Sequence, residues 1–250
     1  MSAPTRRFNG LDTIRGITLV SMIAYHACWD MVYIFGADWD WYRSDGAYLW
    51  QQSICWTFIL LSGYCWHLGR HHGKRGLLVF GGGVLVSAVT FVAMPENLVC
   101  CGVLTLLGTA ALLTIPLDPL LRRIPAQVGL AGSFLLFLLA RDVNSGYLGF
   151  EGVKVLVLPQ SWYRNYFAAL LGFPQPGFYS TDYFSLLPWI FLYGVGYFLH
   201  ALWLTGEGPE RGRHRRPVPV LGWLGRHSLV VYLLHQPVLY GLLLAAETVL

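Results

Sequence analysis

From Arg70 to Ala93 the chain reads RHHGKRGLLVFGGGVLVSAVTFVA: a collar of basic and imidazole side chains, then eighteen residues without a formal charge. A helix rises about 1.5 Å per residue, so this run nearly matches the ~30 Å hydrocarbon core of a bilayer. Comparable runs lie near 13–34, 49–69, 98–116, 126–140, 183–204 and 221–246, beside this one at 76–93. The chain has 250 residues, 55% of them hydrophobic and 12% charged, with a mean hydropathy of +0.51. A soluble domain carries about 25% charge, so these side chains are too few to cover a water-facing surface. The expected fold is all-α: a polytopic membrane bundle of about seven transmembrane helices, forming a single domain over 1–250. The first run does not read as a cleavable signal peptide, being long and carrying Arg15, His26 and Asp30.

The basic residues alternate loop by loop. Arg6 and Arg7, then Arg70, Lys74 and Arg75, then Arg122 and Arg123, then Arg211, Arg213, Arg215 and Arg216 fall on one face. The other face holds Arg43, Arg141, Lys154 and Arg164, with Asp38, Asp40, Asp45, Glu96, Asp142, Glu151 and Asp182. Basic loops stay in the cytoplasm, so the N-terminus is expected inside and the C-terminus outside. The net charge of +4 follows from this topology and implies no nucleic-acid partner. Segment 141–182 then lies beyond the membrane. It is aromatic and broken by Pro159, Pro174 and Pro176, and 161–171 suits an interfacial amphipathic helix. As a whole it reads as a lid, a substrate wall or an aromatic anchor. The five cysteines, Cys28, Cys55, Cys65, Cys100 and Cys101, lie in apolar segments without metal-ligand spacing. They read as small buried hydrophobes, and no metal is expected.

Ionisable groups within a span are costly and each needs a reason. The first helix holds Asp12, Arg15, His26 and Asp30. Eleven residues of helix bring Arg15 and His26 within roughly 20° of one face and about 16 Å apart along the axis. Asp12 is placed to hold the Arg15 guanidinium, and Asp30 to accept from the His26 imidazole one turn away. A cation at one surface and a His–Asp pair deep in the bundle suit a long anionic donor such as coenzyme A. Its phosphates would meet Arg15 and its thioester would reach His26, acting as base or as acyl carrier. In the last span His235 is a second candidate acid or base, in a helix that Pro237 is expected to kink, while Arg226 and His227 lie toward the cytoplasmic end. Ser62, in Leu61-Ser62-Gly63, suits close helix packing or a donor tunnel. Arg70, Lys74 and Arg75 suit coenzyme phosphates or topology alone. Asp182, with Trp189 after it, suits a sugar acceptor. His26, Asp30 and His235 also have a plainer reading as interhelical contacts, and Arg226 and His227 could meet lipid headgroups as readily as phosphates.

Taken together, the residues resemble a family. Leu11-Asp12-Thr13-Ile14-Arg15-Gly16 followed by His26 is similar to the opening of the transmembrane acyltransferase-three family. Leu61-Ser62-Gly63, Gly102-Val103-Leu104, Asp182–Trp189 and Gly225–Pro237 resemble bacterial relatives of the heparan-α-glucosaminide N-acetyltransferase catalytic region. The chain departs from that pattern at Thr105, where relatives often carry histidine, and at Ser185, where proline is common. The resemblance implies acetyl-CoA bound from the cytoplasm as co-substrate. It also implies an amino or hydroxyl group of a sugar or glycan acetylated beyond the membrane, and His26 as catalytic residue.

The expected protein is therefore an acyl-CoA-dependent N- or O-acetyltransferase of a bacterial cytoplasmic membrane. His26, Asp30 and His235 are its catalytic set. Arg15, Asp12, Ser62, Arg70, Lys74, Arg75 and Arg226 serve the donor, and Asp182, Trp189 and Gln236 the acceptor. Its partners are acyl-CoA, the acceptor and the bilayer, with a homodimer left open. Two rival readings are a small-solute or proton-coupled transporter and a non-catalytic membrane scaffold.

Overall fold

A computed structural model describes residues 8–205 and 218–249. Arg6, Arg7, Arg211, Arg213, Arg215 and Arg216, expected in the cytoplasm, lie outside the described residues. In chain order come α1 (Asn9–Tyr33), α2 (Asp45–Tyr64), α3 (His72–Ala93), α4 (Val103–Leu121) and α5 (Ala126–Ala140). Strands β1 (Tyr147–Phe150) and β2 (Val153–Val157) follow, then α6 (Tyr166–Leu171), α7 (Leu186–Thr205), α8 (Pro219–Arg226) and α9 (Ser228–Val249). Among the described helices, α3, α4, α5, α7 and α9 are long and apolar enough to cross a membrane. The protein is an integral membrane helix bundle. At 25 and 20 residues, α1 and α2 also have the length to span (about 37 and 30 Å). Polar side chains, among them Asp12, Arg15 and Asp30 in α1, lower their hydropathy.

The chain forms two compact units, one of residues 1–58 and 207–250, the other of 59–206. In the first, α1 and α8 cross with their backbones in contact. A Cβ on Gly16 would lie 2.0 Å from the Leu221 carbonyl oxygen, and one on Gly225 would lie 1.9 Å from that of Asp12. Only hydrogen fits at either position. Leu19, Met22 and Ile54 form the nearby core, and Trp50 donates its indole N–H to Ser21 at 2.8 Å.

In the second unit the membrane setting inverts the pattern of a soluble helix. On α3, Leu77, Leu85, Phe91 and Val92 are exposed, as lipid-facing side chains should be. Its buried positions are the glycines Gly76, Gly82 and Gly83. Small residues let helices approach where no hydrophobic drive joins them. The same logic joins α2 to α7, since a Cβ on Gly63 would lie 2.0 Å from the Tyr193 carbonyl oxygen.

Three features depart from expectation. The apolar run 221–246 is two helices, because His227 ends α8. Its amide N–H donates to the carbonyls of Trp223 and Leu224, and its ring Nδ1 lies 2.9 Å from the Trp223 carbonyl. Segment 141–182 holds an antiparallel hairpin with Tyr147 paired to Val157 and Phe150 to Val153. Its two-residue turn has positive φ at Glu151 (46°) and Gly152 (91°), which matches the twist of the flanking strands. The helix expected over 161–171 is confined to the six residues of α6.

Candidate active site

α1 carries His26 and Asp30 one turn apart, and α9 brings His235 and Gln236 against them. The two imidazole rings face each other with centroids 4.8 Å apart at 60°. Asp30 is fully buried, and its Oδ1 accepts a hydrogen bond from the Gln236 side-chain amide at 2.5 Å. That contact replaces the expected His26–Asp30 bond: the carboxylate turns across to α9, where an amide donor meets it.

His235 has a defined tautomer. Its Nδ1 sits against the Tyr232 carbonyl, which can only accept, so Nδ1 carries the proton in the neutral ring. The lone pair is left on Nε2. Three buried atoms here have no hydrogen-bond partner: Asp30 Oδ2, His235 Nε2 and Gln236 Oε1. All three are acceptors. An unpartnered buried polar atom costs about 1–3 kcal/mol, so this group is suited to a ligand that brings donors, such as an amine or a hydroxyl.

At the other end of α1, Arg15 pairs with Asp12 at 3.3 Å, as the spacing suggested. The Gly225 crossing lays α8 against Asp12, and Arg226, next in the chain, is exposed. Arg15 lies about 16 Å along α1 from His26.

The remaining sequence candidates belong to the second unit. Arg70, Lys74 and Arg75 are exposed around the start of α3. Ser62 precedes the Gly63 contact, in the packing position first considered for it. Asp182 is no free outer carboxylate. Its Oδ2 accepts from the Val103 N–H at 3.2 Å and so caps α4. Trp189 is buried between Phe137 and Phe184, with the Arg141 guanidinium 5.1 Å over its ring. It is a core ring and offers a sugar no open face. Thr105, at the position of a family histidine, packs on Gly83, whose Cβ would lie 2.5 Å from its Oγ1.

Burial pushes the Asp182 carboxyl up from its ordinary 3.8 to about 6, against the opposing pull of the Val103 N–H. The folded-state value exceeds the unfolded one. The cost of charging the group is therefore absent below about pH 4 and complete above about pH 6, reaching roughly 3 kcal/mol. Asparagine keeps an acceptor for Val103 and cannot ionise. Wild type should thus gain thermal stability relative to Asp182→Asn as the pH falls from about 7 to about 5. Parallel melting curves across that range would remove this account of Asp182.

Sequence reasoning passed over a second histidine pair. His67 and His200 stack at 4.9 Å and 17°, each with one buried ring nitrogen lacking a partner. Nearby, Asp118 accepts from the Tyr197 hydroxyl (2.6 Å) and pairs with Arg122 (2.7 Å). His200 lies inside the apolar run 183–204 and Asp118 late in α4. The rule that each ionisable group within a span needs a reason would have flagged His200, whereas Asp118 lies just beyond the expected span 98–116.

The sequence model of one family, described as the heparan-alpha-glucosaminide N-acetyltransferase catalytic region, matches residues 7–237. No curated protein and no solved structure matches the chain.

Proposed function

The chain belongs to the heparan-alpha-glucosaminide N-acetyltransferase catalytic family, and from that premise we propose that it acetylates an amino or hydroxyl group of a sugar or glycan, using acetyl-CoA. As a member of that family it is a membrane acetyltransferase. The donor, the acceptor and the direction across the bilayer are our reading. So are seven spans in one domain, with the N-terminus in a bacterial cytoplasm.

One observation carries the proposal: the facing His26–His235 pair beside three buried acceptor atoms. An amine or hydroxyl entering there finds partners for its N–H or O–H groups. His235 Nε2, already a lone pair, takes the proton as the nucleophile attacks the acyl carbon. The Tyr232 carbonyl then stabilises the imidazolium through Nδ1–H. The His235 imidazolium then gives the proton to the leaving sulfur, and His26 faces the same reaction space. Asp30, held by Gln236, lies one turn from His26 on α1. Acetyl-CoA would supply the activated acyl carbon. Arg15, held by Asp12, and Arg226 would bind its phosphates at a distance that its long arm suits.

The test is acetyl-CoA turnover by the purified protein in nanodiscs, with glucosamine and other amino sugars as acceptors. Acetylated product that requires both substrates is expected. Solute uptake without acyl-CoA consumption would support the transporter reading instead. Neither turnover nor acyl-CoA binding in a thermal-shift titration would leave the scaffold.

A further inference from the structure

The link between α3 and α4 is anchored to residues 180–184 by a ladder of hydrogen bonds. The Thr181 N–H donates to the Leu98 carbonyl (3.0 Å) and the Phe184 N–H to the Cys101 carbonyl (2.8 Å). The Cys100 N–H donates to Ser180 Oγ at 2.9 Å, and the Val103 N–H to Asp182 as described. Within this ladder the sulfurs of Cys100 and Cys101 lie 3.7 Å apart.

Adjacent side chains do not ordinarily meet. In a strand they point to opposite faces, and in a helix they diverge by about 100°. Cys101 departs from both, with a left-handed φ of 58°. For a residue with a Cβ that conformation costs on the order of 1 kcal/mol or more. The strained turn therefore sits where it sets two thiols in contact.

We propose that Cys100 and Cys101 are a modification site, closing reversibly into a disulfide by exchange with an oxidised dithiol or disulfide partner. Cys100 is the more exposed of the two. Its thiolate attacks one sulfur of the incoming disulfide and expels the other as a thiol. Cys101 then loses its proton and displaces the remaining sulfur. The chain gives up two protons and two electrons, and the incoming disulfide leaves as two thiols.

A trans peptide holds adjacent Cα atoms ~3.8 Å apart, below the ~4.4–6.8 Å usual in disulfides, so this ring is strained and readily reduced. Such bonds belong to the labile, regulatory class. Closure must also bring the sulfurs to ~2.05 Å, which turns the Cys100–Cys101 peptide, flanked on one side by the Cys100 N–H that holds Ser180 and on the other by the Cys101 carbonyl that holds Phe184. Oxidation thus loosens the anchor at the entry to α7. The topology proposed above puts this turn on the non-cytoplasmic side, where disulfides persist. The thiol chemistry is independent of acetyl transfer and is measured apart from it.

The experiment exposes the full chain in nanodiscs to oxidised glutathione, followed by peptide mass spectrometry. The peptide spanning residues 100–101 should lose two hydrogens, carry no glutathione and return to its starting mass with dithiothreitol. Cys101→Ser should instead trap glutathione on Cys100. Wild type that retains both thiols, or carries a glutathione adduct, would overturn the proposal without recourse to the variant. Amide exchange at 98–103 and 180–184 should quicken on oxidation. Unchanged exchange in protein shown to be oxidised would overturn the loosening of the anchor.

Discussion

Alanine at position 235 should lower acetyl transfer by roughly 10²–10⁴-fold, the usual contribution of a positioned acid or base, with the fold retained. The argument rests on the tautomer. Tyr232 holds the Nδ1 proton, so the free lone pair faces the space shared with His26. Alanine removes that lone pair and deletes one wall of a cluster that already contains unpartnered acceptors, so the loss should fall on turnover. His26→Ala should give a loss of the same order. The double variant should lose little more than either alone, as groups acting as a unit do. The check is kcat for all three in nanodiscs, with melting temperature beside it. A single variant that keeps near-wild-type turnover would assign the pair to helix packing and favour the scaffold.

Gly225→Ala should damage the fold more than any surface change. Its new Cβ would lie 1.9 Å from a backbone oxygen of α1, and a backbone cannot swing aside as a flexible side chain can. Overpacking costs about 1–3 kcal/mol where neighbours relax, and more where they cannot. A loss at or above the top of that range is expected. Gly81 is the control, because a Cβ there meets nothing within 4 Å. Gly81→Ala should be neutral or gain up to ~1 kcal/mol of helix propensity. Thermal unfolding of the two purified variants decides the matter. Equal melting temperatures would mean that α8 does not rest on α1 as described.

The helices were legible because hydropathy is a property of each run by itself. α5 occupies the expected 126–140, and α3 ends where expected at Ala93. The break at His227 was hidden, since a helix end made by a histidine inside an apolar run changes the hydropathy little. The hairpin was hidden by a Glu151-Gly152 turn lacking the asparagine or aspartate that signals one. In the site, His26, Asp30 and His235 stood out as ionisable groups in spans, and Gln236 came with them in the motif. Their pairing was a different matter. It depends on α9 lying beside α1, which no local pattern states, so Asp30 was given to His26 when its partner is Gln236. Asp182 and Trp189 looked available only because their neighbours, Val103 and Phe137, are remote in sequence.

The Asp30–Gln236 bond joins residues 206 positions apart, and this sets a waiting time during biosynthesis. A ribosome adds about 5–20 residues per second, so α1 is made some 10–40 s before the amide that satisfies its buried carboxylate. Through that interval residues 59–206 are synthesised between the two halves of the first unit. The nascent first helix must therefore keep Asp30 protonated, hydrated or lent to another chain until α9 arrives.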